Sequence, residues 1–535
     1  MPINPKFQLS FPKKKTVKNS TKDLKKSLTS IISKRWLKAA EYQGMEIIIH
    51  TGKTNCGKTF RAIQDLKKDG IKGSYLAPLR LLASEIFDTL NKEGFPCSLY
   101  TGEERKIIPN ASIRSSTIEM FNFNEEYDVV VIDECQMIAD SSRGSAWTNA
   151  ILKVKAKKLH LIVAPHGVQI ISDLLDHLGR DYTINEYERL SPLVVSKKPH
   201  PVQKPKDRTV YVVFSRTQVL LLKEYFESQG IPVSCLYGNL PPEVKRLQAQ
   251  RFADGDTKIA VTSDCIGMGV NLPVDTVVIV QTEKFDGTGV RPLTASEVHQ
   301  IGGRAGRYGL SNIGTVSSVD EDSLTFIKQK MEEIPETLTK VMIAPELDEL
   351  KVIESERLYD KLEEWQKLNV VPQDLKYLVS NVNLANQMDL AGLITIAQQN
   401  VLGLDKALLL SMAPIPNGKY SYWMLCVEAI CNGQFLPIPE TITEIYSQDG
   451  IEIAETCIKE HELYMWLSNR EAFNYFANRA DEVYANKYVL IELLDKALMN
   501  FAKMKAKTCI YCNTGLPIGT KYKACGNCFR ARSDD

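Results

Sequence analysis

The chain has 535 residues, 44% of them apolar and 24% charged, a composition that fits several folded domains and excludes a fibrous or wholly disordered chain. It holds no run of about 18 apolar residues, so no membrane span is expected. Net charge is only +1 but is unevenly placed: residues 1–40 carry +10 and residues 503–535 carry +5, which leaves the stretch between them acidic.

Residues 1–44 read as a basic tail with a helix over 21–43, where Leu24, Leu28, Ile31, Ile32 and Leu37 recur near helical spacing and Ser20 or Thr21 stands at the cap position. Basic ends on an acidic body fit contact with nucleic acid, and a solvated, disordered tail is an equal reading of residues 1–20. The tail has no apolar core with a small-residue cleavage site, and it is rich in Lys rather than Arg. Neither a secretory signal nor an organelle transit peptide is therefore expected, and the chain is predicted to be cytoplasmic. Eight of its twelve Cys are scattered singly, which suits a reducing compartment.

From Met45 short β-branched runs alternate with helical stretches: EIIIH (46–50), DVVVID (128–133) and LHLIVA (159–164). Fully apolar strands of this kind suit a parallel sheet covered on both faces. The Pro- and Lys-rich stretch 193–208 reads as a linker, and a second series follows with TVYVVFS (209–215), KIAVTS (258–263) and TVVIV (276–280). The predicted body is two α/β units, 45–195 and 196–320. After them strand signals fade, and 322–334, 347–369 and 451–503 read as amphipathic helices within a helical domain, 321–500.

The sequence GKTNCGKT at 52–59 follows an apolar strand and precedes a helix-competent stretch. In that setting Gly52 and Gly57 let Lys53, Thr54, Asn55 and Cys56 turn tightly so that backbone N–H groups face phosphate oxygens. Lys58 would neutralise the β- and γ-phosphates of ATP, and the Thr59 hydroxyl would bind Mg2+. DECQ at 133–136 ends the VVVI strand. Asp133 can hold Mg2+ directly or through water, and Glu134 can act as general base toward the attacking water. QIGGRAGR at 300–307 places Arg304 and Arg307 three residues apart after a helix, as arginine fingers for the γ-phosphate, with Gln300 beside the phosphate and water.

These motifs and TSDCIGMGVNL (262–272) together resemble helicase superfamily two, of the DEAD/DExH type. LAPLRLLA (76–83), TGEE (101–104), STIEM (116–120), YGNLPPEVKRLQAQRF (237–252), LSMAPIP (410–416) and HELYMWLSNREAF (461–473) are similar to the mitochondrial degradosome RNA helicase family, so the resemblance covers about 45–490. It implies two tandem RecA-like lobes and ATP-dependent, 3′-to-5′ unwinding of RNA duplexes, with DNA or hybrid duplexes also taken. It further implies strand-backbone contact by Arg80, Thr101 and Gly102 in the first lobe and by Ser215, Arg216 and Thr262 in the second. Asp264 and Gly267 match the motif that links the nucleotide to the strand. Local capping is the plain alternative for Arg80 and Thr101.

The chain departs from the family pattern in three places: Cys135 replaces an aliphatic residue, no adenine-reading Gln motif precedes the P-loop, and VAPH (163–166) stands where a Ser-Ala-Thr coupling motif is usual. His166 is read equally as a coupling residue or as a cap of the next helix.

Residues 501–535 carry Cys509-x2-Cys512 and Cys525-x2-Cys528, the spacing of a four-thiolate Zn2+ site of ribbon or knuckle type. Flanking Lys, Arg and aromatic residues suggest a grip on nucleic acid or on a protein partner, a nuclease among them. Two competing functions remain open at this point. One is a DNA helicase or translocase of replication or repair, and the other is a scaffold that uses ATP only as a clamp.

Overall fold

The computed structural model describes residues 21–267, 272–287, 289–306, 313–416, 418–445 and 447–499. The tail 1–20, Arg307 and the four-cysteine segment 501–535 lie outside the described residues.

The first lobe is built on eight strands: β1 (Glu46–Gly52), β2 (Gly73–Ala77), β3 (Cys97–Tyr100), β4 (Arg105–Lys106), β5 (Ile113–Thr117), β6 (Tyr127–Ile132), β7 (Ala156–Val163) and β8 (Tyr182–Tyr187). Their order is β4-β3-β5-β2-β6-β7-β1-β8, parallel except for β4. Val129 to Ile132 are all buried, as a strand covered on both faces requires. The helix Thr21–Ala40 packs on this lobe through Leu24, Leu28, Ile32 and Trp36.

The second sheet has the order β11-β12-β10-β13-β16-β9, all parallel. Its strands are β9 (Leu193–Val195), β10 (Thr209–Val212), β11 (Val233–Leu236), β12 (Ile259–Thr262), β13 (Thr276–Ile279) and β16 (Gly314–Ser318). A small antiparallel hairpin, β14 (Glu283–Phe285) and β15 (Val290–Pro292), stands apart from it. The structure corrects the expected boundary at 195 and the reading of 193–208 as linker throughout: Leu193–Val195 pair with β16 in the second sheet. Three residues at a sheet edge leave no periodicity to read, and the Pro and Lys that follow dominate the composition.

The region after 320 is mostly helical, with one parallel strand pair, β17 (Val341–Ile343) and β18 (Val379–Asn381), where no strand was expected. The stretch 347–369 splits into Leu347–Lys351 and Leu358–Leu368, and 451–503 divides into Gln448–Ser468 and Ala480–Met499. One apolar core runs without a break from the first lobe into the helical region and includes Trp365, Leu410, Tyr464 and Trp466. A second core joins β10–β13 to Ile451, Ala454, Ile458, Leu490 and Leu494. The helix Gln448–Ser468 is therefore rooted in the second lobe at one end and in the first-lobe core at the other.

Candidate ATP site between the lobes

The P-loop geometry follows from its glycines. A Cβ at position 52 would lie 2.3 Å from the Tyr187 carbonyl oxygen, so only glycine fits between β1 and β8. Gly57 sits at φ 79°, the left-handed conformation that turns the loop into the helix Lys58–Ala62. Lys58 Nζ rests 3.1 Å from the Gly52 carbonyl, inside the curl that the loop forms. Cys56 is buried beneath it.

Thr59 Oγ1 lies 3.5 Å from Asp133 Oδ2, which brings the two expected Mg2+ ligands together. Asp133 is buried at the end of β6 and accepts from the Tyr75 hydroxyl at 2.5 Å and from the Glu134 amide at 2.7 Å. Burial, reinforced by the Glu134 charge, pushes its carboxyl up to about 6, against the pull of Tyr75 and Lys58. A buried carboxylate with its charge so little compensated is suited to a divalent cation, whose charge would offset its own.

Glu134 adopts φ 51°, which swings its side chain into the cleft. Gln136 donates from Nε2 to Glu134 Oε2 and accepts through Oε1 from the Ala164 amide at 3.0 Å, so one amide ties the acid to VAPH. His166 lines the same cleft, and burial lowers its pKa, which keeps it neutral near pH 7. The capping alternative for His166 is not met: the helix Val168–His177 starts at Gly167 without a side-chain cap.

The second lobe closes this cleft, which has a volume of about 1320 Å³. Gln300, Gly303, Arg304 and Gly267 line it together with residues 52–59, Asp133 and Glu134. Arg304 Nη2 donates to the Gly267 carbonyl, and Asn55 Nδ2 reaches across the lobes to the carbonyls of Gly303 at 3.3 Å and Gly306 at 3.2 Å. Asp264 is not among the residues lining the cleft; it pairs with Lys284 at 3.3 Å.

The six expected strand-contact positions are engaged within the protein. Arg80 pairs with Glu103 at 3.2 Å and with Glu462 at 2.9 Å. Arg216 donates from Nε to both oxygens of Glu455 at 3.1 Å. Thr101 exchanges bonds with Glu104, Ser215 caps the helix Arg216–Ser228, and the Thr262 hydroxyl donates to Ser263 O. Gly102 lies under Trp466, 3.2 Å from where a Cβ would stand, and its carbonyl accepts from Asn469 and Arg470. Glu455 and Glu462 sit seven residues apart on the helix Gln448–Ser468. That spacing is two turns, so one face of the helix holds both lobes. Sequence reasoning missed this pair, although the two-turn spacing in an amphipathic segment was there to be read.

A phosphate loop on one α/β lobe and an arginine-bearing turn on the other, lining one cleft, are the parts of an ATP-driven motor of the helicase class. A model described as the DEXQ-box helicase domain of Suv3 matches residues 33–187, and one for the helicase conserved C-terminal domain matches 188–309. The chain is 34% identical over 454 residues to "DExH-box ATP-dependent RNA helicase DExH16, mitochondrial" of Arabidopsis thaliana, covering 81% of this chain and 78% of the relative. It is 33% identical over 513 residues to "ATP-dependent RNA helicase SUV3, mitochondrial" of Saccharomyces cerevisiae, covering 87% and 67%. Against the human "ATP-dependent RNA helicase SUPV3L1, mitochondrial" the identity is 34%, over 62% of this chain and 44% of the relative. Among solved structures, S. cerevisiae Dbp5 bound to RNA and ADP BeF3 aligns with 59% of this chain at a TM-score of 0.43 and 15% identity.

The chain belongs to the SUV3 family of ATP-dependent RNA helicases. The cytoplasmic expectation is corrected by the same comparison, because these relatives are named as mitochondrial proteins. The expectation rested on Lys in place of Arg in the tail, yet both residues carry the same positive charge.

Proposed function

We propose that this RNA helicase moves 3′-to-5′ along single-stranded RNA in mitochondria, closing its two lobes on ATP and reopening them after hydrolysis. The observation that carries lobe closure on ATP is the contact of Asn55 with Gly303 and Gly306, which brings the phosphate loop and the finger turn together; direction and location rest on the family.

In this reading Lys58 holds the β- and γ-phosphates. Thr59 and Asp133 would hold Mg2+, which would supply charge neutralisation at the phosphates. Glu134 takes the proton of the attacking water, and Gln136 aims it by anchoring to Ala164. Arg304 and Arg307 stabilise the charge that develops on the γ-phosphate, with Gln300 beside them. The strand is proposed to run along the seam where the helix Gln448–Ser468 meets both lobes, beside Thr101, Gly102, Ser215 and Thr262. Arg80 and Arg216 hold that helix through Glu462 and Glu455, and Asp264 links the strand surface to the cleft through Gly267. Cys509, Cys512, Cys525 and Cys528 are proposed to bind one Zn2+, a reading supported by their spacing alone.

The test is strand separation on matched RNA, hybrid and DNA duplexes with single-stranded overhangs of either polarity. Unwinding of RNA from a 3′ overhang with ATP is expected. Unwinding only from 5′ overhangs would overturn the direction.

A further inference from the structure

The chain passes from the first sheet to the second through residues 188–192, between β8 and β9. β8 pairs with β1, which leads into the phosphate loop, and β9 pairs with β16, which follows the finger turn. This crossing is the covalent pivot of the two lobes, and Arg189 stands in it without a part in the chemistry described above.

Its guanidinium is fully used. Nε donates to Ser191 O at 2.8 Å, Nη1 to Thr54 O at 2.7 Å and to Gly303 O at 2.8 Å, and Nη2 to Ala305 O and to Gly306 O at 3.4 Å. One side chain thus grips the phosphate loop, the finger turn and the linker together. Ser191 adds a bond from Oγ to Gly306 O at 2.6 Å, and the Leu190 amide donates to Asn55 O at 3.1 Å.

All five acceptors are neutral carbonyls. A half-buried cation among neutral dipoles loses hydration without gaining a counter-charge, and burial lowers its pKa. A clamp serving stability alone would be better made with a carboxylate. What the arrangement provides is geometric: a rigid planar fork whose Nη1 touches both lobes at once, which a lysine ammonium on a flexible stem does not reproduce. The positive charge also faces a cleft that receives a polyanion.

We propose that Arg189 is a positioning residue for ATP hydrolysis, fixing the turn that carries Arg304 against the phosphate loop so that finger and γ-phosphate meet in register. This rests on the reading of the cleft as the ATP site with Arg304 as a finger. Arg189 touches only the carbonyl side of the loop, leaving the amides free for phosphate. Its loss should therefore slow turnover more than it weakens nucleotide binding.

The test uses the full-length chain as Arg189→Lys, Arg189→Ala and Arg304→Ala, with RNA-stimulated kcat and KM for ATP and the Kd for a fluorescent ADP analogue. Arg189→Lys, which keeps the charge and loses the fork, should lower kcat about tenfold while Kd stays within about threefold. Millimolar guanidinium should restore part of kcat to Arg189→Ala and none to Arg189→Lys. Wild-type kcat in Arg189→Lys overturns the proposal, as does a Kd that weakens in proportion to kcat. Should Arg189→Ala fail to fold, the kcat and Kd of Arg189→Lys decide. Full turnover in Arg304→Ala would remove the finger reading itself. Lost turnover there with an unaffected Arg189→Lys would remove only the role of Arg189.

Discussion

Gly303 stands so close to Thr54 that a Cβ at 303 would lie 2.8 Å from the Thr54 Cβ. The same atom would lie 2.6 Å from the His299 carbonyl, so a methyl group has no room on either side. The requirement is one of space and not of conformation, since Gly303 has φ −58°. Gly303→Ala should push the finger turn off the phosphate loop and lower RNA-stimulated kcat about tenfold or more, with the second lobe still folded. Steady-state ATPase beside near-UV circular dichroism checks this.

Glu134→Gln should remove the base while preserving the cleft. A fall in kcat of about 10²–10⁴-fold is expected, with ATP still bound and unwinding abolished. Single-turnover hydrolysis and nucleotide binding measured on the same preparation separate the two effects.

Asp133 supplies a pH test. Its pKa is raised to about 6 by burial and by Glu134. The folded protein holds this proton more tightly than the unfolded chain does, so the group costs stability as pH rises through about 6. In the proposed site a proton and Mg2+ would compete for the same carboxylate. The Mg2+ concentration giving half-maximal ATPase should therefore climb steeply below that pH and level off above it. Mg2+ titrations of the ATPase at pH 5.5, 6.5 and 7.5 read this directly, with a rise of about threefold from pH 6.5 to 5.5 and almost none from 7.5 to 6.5.

Glu462→Ala should destabilise the molecule, because it takes one carboxylate from half-buried Arg80 and buried Lys487 and leaves them Glu103 and Glu243 alone. The cost should fall below the about 3–5 kcal/mol of a fully broken buried pair, since each cation keeps a second carboxylate, and Arg80→Met in the same chain should recover part of it. Burial opposes the charge on Glu462, but Arg80, Lys459 and Lys487 outweigh it and hold the carboxyl well below its usual range. Its stabilising contribution is thus present at neutral pH and fades as pH falls below about 4. Thermal melts of both variants across this range check magnitude and sign.

The full-length chain should carry about one Zn2+ per molecule, lost on Cys509→Ser/Cys512→Ser. Metal analysis of the purified protein measures it, and a content near zero in the wild type would dismiss the module.

The sequence by itself determined the chemistry of the cleft. The proposed phosphate binding needs Gly52, Gly57, Lys58 and Thr59 within one short segment, and the proposed acid pair needs adjacent positions at a strand end, so both are local and legible. Six strands, β1, β6, β7, β10, β12 and β13, announced themselves in the same way, as apolar runs, whereas the interior strands β2, β5 and β16, with Gly, Ser and Thr among their residues, did not. Edge strands such as Leu193–Val195 did not, being too short for a pattern. What only the tertiary structure decided is which distant segments meet: Arg189 on Thr54 and Gly303, and Glu455 and Glu462 on Arg216 and Arg80. A charged residue in a linker or on a helix shows its charge but not its partner. The partner is chosen by how two separately folded lobes and a helix of 21 residues pack together, and that is a property of the whole chain.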